Sequence, residues 1–88
     1  MDVHKSHSDV IKRLKRAQGH LGKVIEMIED HGECLMVAQQ LQAVVNALSN
    51  AKTIHVQDHI EHCLAALLEK RGEKHKDIGE FLEIAKYL

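Results

Sequence analysis

The longest uninterrupted helical pattern in this chain runs through residues 33–69, which contain neither glycine nor proline. The whole sequence of 88 residues has no proline and only five glycines. Within the segment, apolar residues recur every seven positions, which is typical of a helix packed along its length against other helices. The pattern therefore predicts an all-α protein built around one long helix, in a single domain that covers residues 1–88.

Two shorter helices are predicted on either side of this central helix. Apolar residues at spacings of three and four follow a candidate N-cap, Ser8, and stop at Gly32, which predicts a first helix over about residues 8–30. The central helix then covers about residues 33–70, and a last apolar face predicts a third helix over about residues 77–88. Because so short a chain buries little surface alone, we expect it to form a homodimer or a larger homo-oligomer.

The central helix carries three side chains that bind soft metal ions. Cys34 lies near its start, whereas His59 and Cys63 lie near its end, at a spacing of four that points both side chains the same way. His59 follows Cys34 by 25 residues, which is about 38 Å along a helix. One chain therefore cannot close the site, whereas a second, antiparallel chain would bring its Cys34 to the first chain's His59 and Cys63.

Two thiolates and one imidazole suit Cu(I) or Zn(II), and three ligands alone favour Cu(I). A further histidine would shift the preference towards Ni(II) or Co(II), and the candidates are His4, His7 and His55. The alternative is that both cysteines are small buried apolar residues and that His59 is an ordinary surface histidine. These alternatives stay open on the spacing alone.

The charge distribution indicates a polyanionic partner. Six of the twelve basic residues fall within residues 5–23, among them Lys12, Arg13 and Arg16, whereas seven of the thirteen acidic residues lie in the C-terminal half and the net charge is −1. Such a polarised basic helix is an electrostatic footprint for phosphate, which makes double-stranded DNA a candidate partner. The sequence shows no nucleophile and base pair, glycine-rich phosphate loop or paired carboxylates, so we do not expect an enzyme. It has neither a membrane-length apolar run nor a signal-peptide stretch, so we expect a cytoplasmic protein.

Three sequence runs together resemble one protein family. Residues 13–21 read RLKRAQGHL, residues 33–34 read EC and residues 58–63 read DHIEHC. With their spacing, these runs resemble the CsoR/RcnR family of metal-responsive transcriptional repressors over essentially the whole chain. The resemblance implies a disc-shaped, all-α dimer of dimers that binds operator DNA when metal-free and releases it when metal-loaded.

Within that family, Cys34, His59 and Cys63 match the ligand set of the copper(I) sensors. Nickel and cobalt sensors often replace the last cysteine by histidine or add an N-terminal histidine, whose position is Asp2 here. Formaldehyde sensors lack the last cysteine, and persulfide sensors lack the histidine. The resemblance therefore implies a copper(I)-responsive repressor; the alternatives are a nickel or cobalt sensor, a persulfide or formaldehyde sensor, or a cytoplasmic metal-buffering protein.

The resemblance also implies roles for residues around the ligands. Glu80 matches a glutamate of the third helix that lies next to the metal ligands, and Glu33 stands where copper sensors commonly have a tyrosine. Asn50 occupies the position of a basic residue on the second helix, for which Lys52 is the nearest substitute. The expected DNA contacts are Lys12, Arg13, Arg16 and Lys52.

Overall fold

Three helices make up the part of the chain that the computed structural model describes, which is residues 6–69 and 74–88 without the side chains of residues 66, 67, 69 and 74–77. They are α1 (His7–Glu29), α2 (Cys34–Glu69) and α3 (Lys74–Ala85). Helices α1 and α2 are joined by four residues and form an antiparallel hairpin, and α3 packs against α2. The described residues include no strand, which confirms the prediction of an all-α protein with three helices. None of the described helices is long and apolar enough to cross a membrane.

The first helix begins one residue before the predicted N-cap. The backbone carbonyl of Ser6 accepts the first helical hydrogen bond from Val10 N at 2.8 Å, and the Ser6 side chain makes no capping bond. Ser8 already lies inside the first turn, so its prediction as the N-cap is wrong. The helix is started by its backbone hydrogen bonds and by the packing of Val10, which is buried, instead of by a serine hydroxyl.

The third helix is shifted from its predicted bounds. It begins at Lys74 and ends at Ala85, three residues earlier at each end than the apolar pattern indicates. Its last backbone bonds join residues three apart, Tyr87 N to Ile84 O at 3.0 Å and Leu88 N to Ala85 O at 3.2 Å. The chain end is therefore a tighter turn than an α-helix. The predicted end of the central helix at residue 70 lies outside the described residues.

Small side chains hold α1 against α2. On α1 the buried residues Val10, Ala17 and Val24 are seven apart, and on α2 Val44 and Ala51 are seven apart and also buried. A seven-residue spacing keeps one stripe of each helix in contact along the whole pair, and small residues let the two axes approach closely. The seam aligns the two helices, and with them every functional side chain they carry.

A broad apolar face beside this seam stays uncovered. Its large side chains are 40–51 % exposed, and they are Ile11, Leu14, Leu21, Ile25, Leu41, Val45 and Leu48. The chain exposes 6918 Å² in all, whereas a compact monomer of this mass exposes about 5,200 Å². The single chain is thus an open helical layer with an apolar face of the kind that marks an interaction site.

The turn between α1 and α2 is closed by backbone hydrogen bonds. His31 adopts a left-handed φ of 60°, and its N–H donates to Ile28 O at 3.1 Å while Gly32 N–H donates to Met27 O at 2.7 Å. This pair of bonds is the Schellman arrangement that ends many helices. A Cβ on residue 32 would lie 2.9 Å from Met27 O, so the close approach requires glycine. The turn fixes where Cys34 enters α2.

Replacing Gly32 by alanine is expected to destabilise the protein by about 1–2 kcal/mol, because the new methyl group meets a backbone oxygen that cannot move without breaking the turn. The measurement is denaturant unfolding at one fixed protein concentration. Gly19→Ala is the matched control, since an added Cβ there meets nothing within 4 Å, and it should raise stability by up to about 1 kcal/mol. Equal effects of the two substitutions would contradict this description of the turn.

Candidate functional site

One cluster of potential metal ligands forms where α3 packs against α2. His59 and Cys63 project from α2 four residues apart, and Glu80 reaches them from α3. One ligand atom from each residue, an imidazole nitrogen, the thiol sulfur and a carboxylate oxygen, lies within 4.8 Å of the other two. The Cys63 side chain is buried, His59 is partly buried and Glu80 is exposed, so the cluster opens to solvent on the side of α3.

A contact with Glu80 orients the His59 ring. Glu80 Oε1 lies 2.5 Å from His59 Nε2, and a carboxylate oxygen in this position accepts a hydrogen bond from the ring nitrogen. A carboxylate that holds one imidazole nitrogen fixes the tautomer and the ring direction, and it presents the other nitrogen, Nδ1, for coordination. Glu80 was implied next to the metal ligands by the family resemblance, and the structure brings it into direct contact with His59.

Cys34 lies at the other end of the same helix. It is the first residue of α2 and is exposed, and 25 residues separate it from His59, which is about 38 Å of helix. The structure therefore brings together His59, Cys63 and Glu80 within one chain, but not Cys34. Any ion that binds Cys34 together with the cluster has to be shared between chains.

The donor set of the cluster fits a transition metal ion. A thiolate, an imidazole and a carboxylate are the ligands of Zn(II), Co(II) and Ni(II) sites, and three protein ligands leave a coordination position open. A second thiolate in that position would make the set softer and suit Cu(I). The metal preference thus depends on whether Glu80 or a second thiol completes the site.

The other candidate ligands lie apart from the cluster. The His55 ring stacks on the His7 ring with centroids 5.5 Å apart, which ties the start of α1 to the middle of α2. Glu33 is exposed in the turn before α2 and lines a groove with Glu26 and Asp30. His4 and Asp2 lie outside the described residues.

A basic face runs along the side of α1 away from the apolar face. Arg13 and Arg16 are exposed and line a concavity of about 170 Å³ with His20 and with Asn50 of α2. Arg13 Nε also donates to Asp9 Oδ2 at 3.0 Å, one turn earlier. Because the arginines flank a concave surface, they can surround a phosphate group from two sides.

Lys52 lies on the opposite side of the helix pair from the two arginines. It lines an apolar groove of about 370 Å³ together with Leu14 and Leu48. Lys12 is exposed on α1, next to Arg13. The structure thus brings Arg13 and Arg16 together, but in a single chain it does not bring Lys52 to the same surface.

Two polar residues that complete the basic face were not predicted from the sequence. His20 Nε2 lies 2.7 Å from Gln40 Oε1, which links α1 to α2 between the two arginines and Lys23. His20 follows Arg16 by four residues, a spacing that places both on one face and could have revealed it. No comparable signal exists for Gln40, because its position depends on the packing of α1 against α2.

The fold and the two surfaces define a small α-helical protein equipped to bind a metal ion and a polyanion. A family model described as a metal-sensitive transcriptional repressor matches residues 6–87. The chain belongs to this family, which confirms the resemblance to CsoR/RcnR proteins predicted from its sequence runs. The members are transcriptional regulators, in agreement with the expectation that the chain is not an enzyme.

Individual relatives give the same result. The chain is 37% identical over 78 residues to the copper-sensing transcriptional repressor CsoR of Mycobacterium ulcerans (strain Agy99), covering 88% of this chain and 65% of the relative. It is 31% identical over 86 residues to the protein of the same name in Bacillus subtilis (strain 168), covering 94% and 84%. The structure of the nickel-responsive transcriptional regulator InrS superposes with a TM-score of 0.83 at 26% identity, covering 97% of this chain and 96% of the other. The chain thus spans just under two thirds of the first relative and nearly the full length of InrS.

Proposed function

We propose that the chain is a cytoplasmic, copper(I)-responsive transcriptional repressor that binds operator DNA when metal-free and leaves it when Cu(I) binds. The site we propose contains Cys34 of one chain and His59 and Cys63 of a second chain. The observation that carries the proposal is the cluster of His59 and Cys63 on α2, with the only other cysteine of the chain at the far end of the same helix. A second copy with antiparallel α2 supplies the missing thiolate.

The uncovered apolar face supports the required dimer. It extends over both α1 and α2 and lies on the side of the seam where Leu14, Leu48 and Lys52 meet. Pairing two such faces would bury their leucines, isoleucines and valines in a four-helix core. Two dimers would then assemble into the homotetramer that the family resemblance implies.

Copper is favoured over nickel by the ligand types. Two thiolates and one imidazole form a soft set that suits Cu(I), and two of the curated relatives carry the description copper-sensing repressor CsoR. Nickel is the second candidate, because InrS is described as nickel-responsive and because Glu80 offers a hard oxygen donor within the cluster. The two proposals differ in whether Glu80 orients His59 or coordinates the ion.

The release of DNA follows from the position of the site between chains. When Cys34 closes on His59 and Cys63 of the second chain, the two α2 helices lose their freedom to move relative to each other. Since α1 is packed along α2, the arginine-lined faces of both chains are fixed in the same step. If that arrangement does not match the operator, metal and DNA weaken each other's binding, and a coupling of about 1–3 kcal/mol would change DNA affinity about 5- to 150-fold.

The direct experiment is a DNA-binding titration with a duplex from the promoter of the chain's own operon. The metal-free protein should bind the duplex, and Cu(I) should release it at lower concentrations than Ni(II) or Zn(II), with formaldehyde and persulfide as further additions. Release by Ni(II) in preference to Cu(I) would favour the second candidate. If the metal-free protein does not bind, or if none of these effectors releases the DNA, the proposed function is wrong.

Removing Glu80 separates the two candidates. Under the copper proposal, Glu80→Ala keeps the three ligands but no longer fixes the His59 ring, so Cu(I) affinity should fall about 10- to 100-fold. The ultraviolet absorption of the copper–thiolate bonds should remain. Under the nickel proposal, Glu80 is itself a ligand and Ni(II) binding should be lost. Glu83→Ala is the matched control, because Glu83 lies on the same helix and pairs with Lys86 at 3.0 Å. Competition titrations with a chelator of known affinity measure the Cu(I) and Ni(II) affinities of both variants.

A further inference from the structure

We propose that His20 contacts a DNA phosphate and that it takes up a proton when DNA binds. The surface involved is the part of the α1 and α2 groove between Arg13 and Lys23. The assignment rests on the proposed repressor function, since it concerns how the same protein holds DNA.

Two neighbouring concavities meet at His20. One is lined by Arg13 and Arg16 with the small residue Ala17 as its floor, and the other, of about 570 Å³, is lined by Arg16 and Lys23. His20 and Arg16 line both, and no carboxylate lines either of them among the described residues. Positive charge over small side chains lets a phosphate approach the backbone closely, and phosphate contacts dominate the affinity of proteins for DNA.

The basic strip has defined limits on α1. Beyond Lys23 the groove is lined by three acidic residues, Glu26, Asp30 and Glu33, which would repel phosphate. At the other end, Asp9 pairs with Arg13. The strip from residue 13 to residue 23 is about 15 Å long, and His20 is the histidine that lines it. Imidazole is the side chain whose charge generally responds to pH in the neutral range.

The contact with Gln40 determines which nitrogen takes up the proton. Gln40 Oε1 can only accept a hydrogen bond, so the 2.7 Å contact requires a hydrogen on His20 Nε2. That bond is compatible with both the neutral and the charged imidazole, and proton uptake therefore takes place at Nδ1. The charged groups that line the two concavities beside His20 are Arg13, Arg16 and Lys23 of α1, whereas α2 contributes the uncharged Gln40 and Asn50. A phosphate placed among them favours the charged imidazole.

The experiment is a salt titration of DNA binding by the metal-free, full-length protein at about pH 6 and about pH 8, which bracket histidine titration. The probe is a fluorescent duplex from the chain's own promoter. For the wild type, the slope of log affinity against log salt should be steeper at the lower pH by about 0.9 for each His20 that contacts a phosphate. His20→Gln should have the same slope at both pH values, and His20→Arg should have the steeper slope at both.

The matched control is His31→Asn. His31 is exposed beyond the acidic groove, and asparagine tolerates its left-handed φ, so this variant should titrate like the wild type. The assignment is wrong if His20→Gln keeps the wild-type change of slope, if both His20 variants lose DNA binding at every pH, or if the wild-type slope is independent of pH. A wild type that binds no DNA at either pH would instead overturn the proposed repressor function itself.

Discussion

The Cys63→Ser variant is expected to bind Cu(I) more than about 100-fold less tightly than the wild type and to stay on DNA when copper is added. Cys63 is buried beside His59 and Glu80, so its sulfur is already positioned as a ligand before any ion arrives. A hydroxyl of similar size does not replace a thiolate for a soft ion. The loss of a group that only orients a ligand typically lowers metal affinity about 10- to 100-fold. The loss of a ligand itself should lower the affinity further. Competition with a copper chelator measures the affinity, and fluorescence anisotropy of labelled DNA measures the release.

Two comparisons make the Cys63 result specific. Metal-free Cys63→Ser should bind DNA as the wild type does, because the substitution lies far from the basic face. His55→Gln, one turn earlier on α2, should keep wild-type copper affinity, because His55 stacks on His7 and lies outside the ligand cluster. Normal copper release of DNA by Cys63→Ser, or a loss of copper binding in His55→Gln, would show that the ligand set is wrong.

Reversing the charge of Arg16 is expected to weaken operator binding at least about 100-fold and to reduce its salt dependence. Arg16 lines both concavities of the basic face, so Arg16→Glu places a negative charge at the centre of the proposed phosphate surface. In the proposed oligomer, each chain loses its phosphate contact at the same time. Copper affinity should be unchanged, since the substitution lies outside the ligand cluster. DNA titrations at several salt concentrations, with a parallel copper titration, measure both quantities.

Lys52→Glu provides the comparison for Arg16. Lys52 lines the apolar groove on the opposite side of the helix pair, so we expect its charge reversal to weaken DNA binding less than that of Arg16. Equal losses would show that the DNA surface of the oligomer extends over both sides. An Arg16→Glu protein that still represses its operon in cells would contradict the repressor proposal and favour a metal buffer.

The sequence predicts the helices well because their causes are local. The absence of glycine and proline from residues 33–69, with a seven-residue apolar repeat, is sufficient to define α2. The ends of helices depend on individual backbone bonds, which is why Ser8 and the bounds of α3 were predicted incorrectly. The left-handed backbone of His31 was likewise not predictable, because nothing in the sequence distinguishes this histidine from the other exposed histidines.

The candidate site is predictable only in part for a similar reason. The spacing of His59 and Cys63 is a property of one helix, and in the structure their ligand atoms lie within 4.8 Å of each other. Glu80 arrives from a different helix, and only the family resemblance pointed to it. The separation of Lys52 from Arg16 depends on how α1 sits on α2, and periodicity within each helix contains no information about that angle.

The central claim is that the metal site joins two chains, and it is tested most directly by mixing two inactive variants. Cys34→Ser lacks one ligand, and the double variant His59→Ala, Cys63→Ser lacks the others, so neither alone should bind Cu(I) tightly. When the two are unfolded together in equal amounts and refolded, half of the dimers pair one chain of each kind, and each of these has one complete site. The mixture should therefore recover about a quarter of the wild-type copper capacity. A mixture that binds no more copper than its separate components, or full copper affinity in Cys34→Ser alone, would contradict a site shared between chains.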